Sequence, residues 1–108
     1  MEVADLVKLM EILGSNKNAQ DKRHPYVIGK KYLIRTVTMI VLGELKEVYD
    51  DELIFKDASW VADTGRFYNA LSEGKLNEVE PFINDAGVGR GAIIDFTEWN
   101  FNLPREQK

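Results

Sequence analysis

Cysteine is missing from this chain altogether, and histidine occurs only once. The first absence excludes disulfides, thiolate zinc sites and cysteine nucleophiles, and it fits a reducing compartment. The second, with no serine or lysine triad pattern beside it, argues against an enzyme. Long apolar runs are lacking as well. The stretch around Thr38–Leu42 falls far short of the roughly 20 residues that span a bilayer, so no membrane crossing is expected. The N-terminus shows no basic stretch followed by a long apolar region and a small-residue cleavage site, so a secretory signal is not indicated.

Positive charge is in deficit: 14 Lys and Arg against 18 Asp and Glu give a net charge of −4. The deficit is uneven, because residues 1–31 carry six basic against four acidic residues and residues 32–108 carry eight against fourteen. Nucleic-acid binders draw most of their affinity from neutralising phosphates. An acidic body therefore argues against broad capture of DNA or RNA and leaves room only for a focused cationic pocket.

What is present describes one small globular domain, with 108 residues of which 44% are hydrophobic and 30% charged. A domain of this size buries only about 60–70% of its unfolded surface, which makes self-association an available source of stability. From Glu2 to Leu13, the residues Val3, Leu6, Val7, Met10 and Leu13 recur at helical spacing, widened by Leu9 and Ile12, and Gly14 ends the run. The polar stretch SNKNAQDKRHP follows. The chain thus divides into a helix over 1–14, a linker over 15–28, a β domain over 29–103 and a tail over 104–108. The helix either docks on its own domain or, because a linker sets it apart, offers those five residues as an oligomer interface. His24, directly before Pro25, reads as a solvated loop residue.

Beyond Gly29 the run KKYLIRTVTMIVLG is rich in β-branched residues and alternates Leu33, Val37, Met39 and Val41 against Ile34, Thr36, Thr38 and Ile40. It reads as one strand up to a bend at Gly43, after which ELKEVY forms a second and turns Leu45 and either Val48 or Tyr49 inward. Asp50 and Asp51 make a turn, ELIFKDASWV returns as a strand, and AIIDFTEW forms the last one, with Ile94 and Phe96 buried. Short strands, tight turns and little helix point to a mainly β fold, a small, strongly bent antiparallel barrel closed on itself so that no edge is exposed.

The segment GELKEVYDDELIFKDASWV, with its glycine, leucine and aromatic-Asp turn, resembles the first motif of the Sm-like family, and VGRGAIIDF resembles the second through Arg90 and Gly91. The resemblance implies an SH3-like bent barrel that follows an N-terminal helix, assembles into rings and binds RNA. The family's base-holding asparagine has no counterpart in DDEL, and the stretch from Asp63 to Gly89 is longer than the usual connection between the motifs. The segments YLIRTVTM, DASWVADTGRF, LNEVEPF and LPREQK are also similar to a small-domain family of phage and bacterial genomes. That likeness implies a phage origin, in a host cytoplasm or a virion, and carries no activity with it.

In DTGRFYNALSEG, Asp63 or Thr64 is suited to cap a short helix near residues 64–73, Phe67, Ala70 and Leu71 share a face, and Gly74 stops it. Folding alone accounts for this as a lid over the barrel's open end. The functional reading gathers Trp60, Asp63, Thr64, Arg66, Arg90 and Gly91 into a site for a nucleotide-like ligand, with arginines on the anion and Trp60 or Tyr68 on a base. GVGRG precedes a strand rather than a helix, so it is read as a flexible hairpin loop with positive backbone angles and not as a dinucleotide fingerprint. Asp50, Asp51 and Glu52 alternate in direction, and Glu78 with Glu80 lack a third ligand, so neither group reads as a catalytic or metal site. The sequence thus predicts a non-catalytic module without cofactor or metal that acts by homo-oligomerisation or contact with a phage or host protein. Sequestration of a nucleotide-derived signal is the alternative, and RNA binding the third reading.

Overall fold

The computed structural model describes residues 23–108. The helix expected over 1–14, its candidate interface residues Val3, Leu6, Val7, Met10 and Leu13, and most of the linker lie outside the described residues.

The apolar run expected as one strand folds as two, β1 (Lys31–Thr36) and β2 (Ile40–Val48), paired antiparallel. Thr36 makes the turn between them. Its N–H donates to the Met39 carbonyl at 2.8 Å, and its hydroxyl accepts the Met39 N–H at 2.9 Å. A threonine hydroxyl can thus stand in for the usual turn residues. Val37 and Met39, expected on a strand face, sit at the exposed tip instead.

The twelve-residue β3 (Glu52–Asp63) is the spine of the sheet. One side pairs with β2 throughout, and the other is shared between β5 (Ala86–Gly89), which lies against Glu52–Phe55, and β4 (Glu78–Pro81), which lies against Ser59–Asp63. Asp57, between the two halves, has φ 51°, a left-handed conformation that Asp tolerates better than most residues. The bend expected at Gly43 coincides with a register shift between Leu42 and Glu44. There a Cβ would lie 3.0 Å from Phe55 Cβ and 3.1 Å from Ala58 Cβ, so glycine is what lets β3 approach.

A 3-10 turn (Arg90–Ala92) leads into β6 (Ile93–Glu98), which pairs with β1. Strand order is β4-β3-β2-β1-β6, with β5 also on β3. All pairings are antiparallel, and the fold is mainly β. The sheet does not close: β6 pairs with no strand beyond β1, and β5 with none beyond β3, among the described residues. The closed barrel expected from the sequence is therefore corrected to a bent, open sheet. Ile94, expected inside, is 65% exposed. Register explains it, because Thr36 faces Ile93 while Arg35 faces Asp95, which leaves Ile94 as the extra residue of a bulge. Ile93 and Phe96 pack on the core instead.

Cross-strand partners share a face. Ile34, Val41 and Trp60 are aligned on one side of the sheet, and Leu33, Leu42 and Ser59 on the other. Each side has its own core. Tyr32, Ile34, Val41, Leu45, Leu53 and Phe55 pack within the bend. Leu33, Leu42, Val61 and Val79 are covered on the opposite side by Ala70 and Phe67 of α1 (Phe67–Glu73) and by Trp99, Phe101 and Leu103. The inserted helix is thus shorter than expected, and it roofs the outer face of the sheet rather than the mouth of a barrel. The tail folds back over this face: Ser59 Oγ donates to the Pro104 carbonyl at 3.2 Å, and Lys108 exchanges two backbone hydrogen bonds with Val79.

Candidate functional site

The residues proposed from the sequence fall into separate places. Trp60 stands on β3 between Val41 and Glu80, 39% exposed, on the side of the sheet away from α1. Asp63 ends β3 and spends its carboxylate on the turn, where Oδ1 accepts the Gly65 N–H at 2.8 Å. Thr64 donates its hydroxyl to the Gly65 carbonyl at 2.8 Å. Neither caps the helix. The cap position is Arg66, extended and without a side-chain bond to the helix, and Gly74 ends it in the left-handed region as expected. The seven-residue helix has no acidic side chain in its first turn. An exposed Arg66 at its start and Trp60 on the other side of the sheet do not form one pocket.

Arg90 belongs to the opposite end of β3. Its N–H donates to the Asp51 carbonyl at 2.9 Å, and its Nη1 donates to the Tyr49 carbonyl at 2.8 Å. The guanidinium lies 5.5 Å from the centre of the Tyr26 ring. Strand β3 therefore separates Arg90 from Asp63 and Arg66 by nearly its whole length. Gly91 is exposed with open space where a Cβ would stand, and of Gly87, Gly89 and Gly91 none has positive φ. The expected flexible GVGRG loop is corrected to a strand, Ala86–Gly89, and a 3-10 turn.

Around Arg90 the structure gathers residues that the sequence reading left apart. A cavity of about 290 Å³ is lined by Arg23, His24, Val48, Tyr49, Asp50 and Arg90. His24, expected to be solvated, is half-buried. It stacks on Tyr26 with ring centres 5.7 Å apart, and Tyr26 rests on Phe96 at 4.9 Å. The Tyr26 N–H donates to His24 Nδ1 at 3.2 Å, which puts the proton of the neutral ring on Nε2. Tyr49 donates its hydroxyl to the Glu47 carboxylate, and that hydrogen bond, then the Glu47 charge, raises the phenol above its ordinary pKa. The one signal that could have found the cluster is topological: the Asp-Asp turn and the Arg-Gly turn lie at the same end of paired strands.

The remaining charges are mostly paired on the surface. Lys46 meets Asp85 at 2.7 Å, and Lys56 meets Glu44 at 3.0 Å. Among the described residues, no helix is long and apolar enough to cross a membrane, and no three His, Asp or Glu side chains group as a metal site. Comparison with protein-family models, with curated proteins and with solved structures returns no match.

Proposed function

We propose that the protein is a non-catalytic assembly module in which copies of the chain join through the edges of their open sheets. The observation that carries this reading is a pair of edges that no strand of the described residues pairs with, β6 at one end of the sheet and β5 at the other, each close to a large exposed apolar residue. Ile94 is 65% exposed on β6, and Ile83 is 96% exposed in the turn between β4 and β5. Unpaired N–H and C=O groups on an edge strand are a template for another chain. Because the two edges differ, their union is head-to-tail and leads to a ring or an open chain of copies. Support for reading the open sheet as SH3-like comes from the left-handed Asp57 in the middle of β3 and the 3-10 turn before the last strand.

Light scattering on the full chain over a range of concentrations tests the proposal. The expected result is a mass above that of the 12.4 kDa monomer, reduced by Ile94→Lys and by Ile83→Lys. A mixture of those two variants should pair through the intact β5 edge of one and the intact β6 edge of the other, and stop at the dimer. A monomeric mass throughout overturns the reading. Assembly untouched by both substitutions overturns the edges as its route.

The rival reading, sequestration of a nucleotide-derived signal in a pocket of Trp60, Asp63, Thr64, Arg66 and Arg90, is not supported as one site, since Arg90 stands at the far end of β3 from Asp63. RNA binding of Sm type retains only the Arg90 turn, beside an acidic Asp50-Asp51-Glu52 turn.

A further inference from the structure

We infer that the cavity beside Arg90 is a binding site for a small phosphate monoester carrying a planar ring. The inference goes beyond self-assembly and does not rest on it.

Arg90 lines this cavity. Its guanidinium is fixed from two sides, by the Tyr49 carbonyl and the Tyr26 ring, yet among the described residues no carboxylate stands within ion-pair distance of it. The contrast with Arg35, which holds a carboxylate by both arms of its fork, is plain. A guanidinium has five N–H donors, and a single side-chain hydrogen bond is made by this one. A half-buried cation that is immobilised but not neutralised is prepared for an anion supplied from outside, and a planar fork suits phosphate oxygens.

The lining supplies the rest. Arg23 and His24 line the same cavity. Asp50 lines it too and opposes an anion. Tyr49 contributes an exposed ring whose hydroxyl is tied to Glu47, a flat surface held in place for stacking. Size limits the ligand. About 290 Å³ is at the lower end of the roughly 300–1,000 Å³ of small-molecule pockets, which admits one ring and one phosphate and no oligonucleotide.

The test is a titration of the full chain at low ionic strength with inorganic phosphate and with phenyl phosphate, followed by amide chemical shifts and calorimetry. Saturable shifts confined to residues 23–26, 48–51 and 90–91 are expected, with phenyl phosphate the tighter probe. Arg90→Lys keeps the charge and loses the fork, and it should weaken binding about tenfold. Asp50→Asn alters an exposed residue with no part in the core, and it should tighten binding about threefold or more by removing a like charge. Absence of saturable shifts, or binding indifferent to Asp50→Asn, overturns the site. Inorganic phosphate binding as tightly as phenyl phosphate overturns the ring, and a short single-stranded RNA that displaces the probes at lower concentration overturns the small-molecule class.

Discussion

Arg35 and Asp95 face one another in register across β1 and β6, with Arg35 Nε donating to Asp95 Oδ1 at 2.7 Å and Nη2 to the second oxygen. The same guanidinium lies 4.9 Å from the centre of the Phe67 ring. One side chain therefore links the edge strand to the helix that roofs the outer core. The Arg35 hydrogen bond, against a smaller opposing effect of desolvation, holds the Asp95 carboxyl below its ordinary pKa.

A pH dependence follows from that direction. A carboxyl whose folded pKa is depressed contributes stability above its unfolded value, about 3.9, and the contribution is lost as pH falls through the lower folded value. Asp95→Asn should therefore lower Tm near neutral pH and flatten its decline on the acid side. Both groups are exposed to solvent, so added salt should shrink the difference between the two proteins. Equal acid limbs for Asp95→Asn and the parent chain would show that the pair does not form in solution.

Much of this architecture was legible because apolar alternation and turn residues announce strands directly. The Asp50-Asp51 turn, the returning strand through Trp60 and the stop at Gly74 are examples. The break at Thr36 was not, since a threonine hydroxyl that closes a turn looks in sequence like one more β-branched strand residue. Ile94 escapes a reading from sequence for a related reason: one bulged residue reverses inside and outside, and no local pattern encodes the bulge. The site suffered most from distance along the chain. Chemistry alone groups Arg90 with Arg66, whereas the long β3 holds them apart, and Arg90's actual neighbours, His24, Tyr26 and Tyr49, come from segments that only the fold brings together.

Gly74→Ala should destabilise the fold by about 1–3 kcal/mol, because an L side chain at positive φ is strained and its Cβ has no room. The φ there is 73°, and an added Cβ would come within 2.6 Å of Phe101 Cγ. Gly29 is the control: φ is 94° with nothing within 4 Å of the added atom, so Gly29→Ala carries backbone strain alone. Phe101 packs edge-on against the buried Trp99 at 5.4 Å, and Trp99 emission should shift in Gly74→Ala and stay unchanged in Gly29→Ala. Urea unfolding that gives equal losses for both variants would remove Phe101 from the explanation.

Arg66→Ala should change stability by no more than about 0.5 kcal/mol, as exposed residues outside special interactions usually do. Arg66 occupies the helix cap position through its backbone, with no side-chain bond to the helix. A loss of several times that size would mean that the guanidinium has a partner in the assembled protein, and the same variant run by light scattering would show whether that partner is a second copy.

Removal of residues 104–108 tests how the tail serves the sheet. Ser59 is fully buried, and its hydroxyl donates to the Pro104 carbonyl at 3.2 Å; without that acceptor the orphaned group should cost about 1–3 kcal/mol. Ser59→Ala in the shortened chain removes the orphan and should recover part of the loss, which separates the hydroxyl from the packing of the tail. The backbone pair between Lys108 and Val79, at 2.9 and 3.0 Å, covers the outer side of β4. Its removal should therefore speed hydrogen exchange at the Val79 amide, and by lengthening the exposed edge it should increase self-association if edges are where copies meet. Unchanged protection at Val79 would mean that water or another strand, and not the tail, holds that edge in solution.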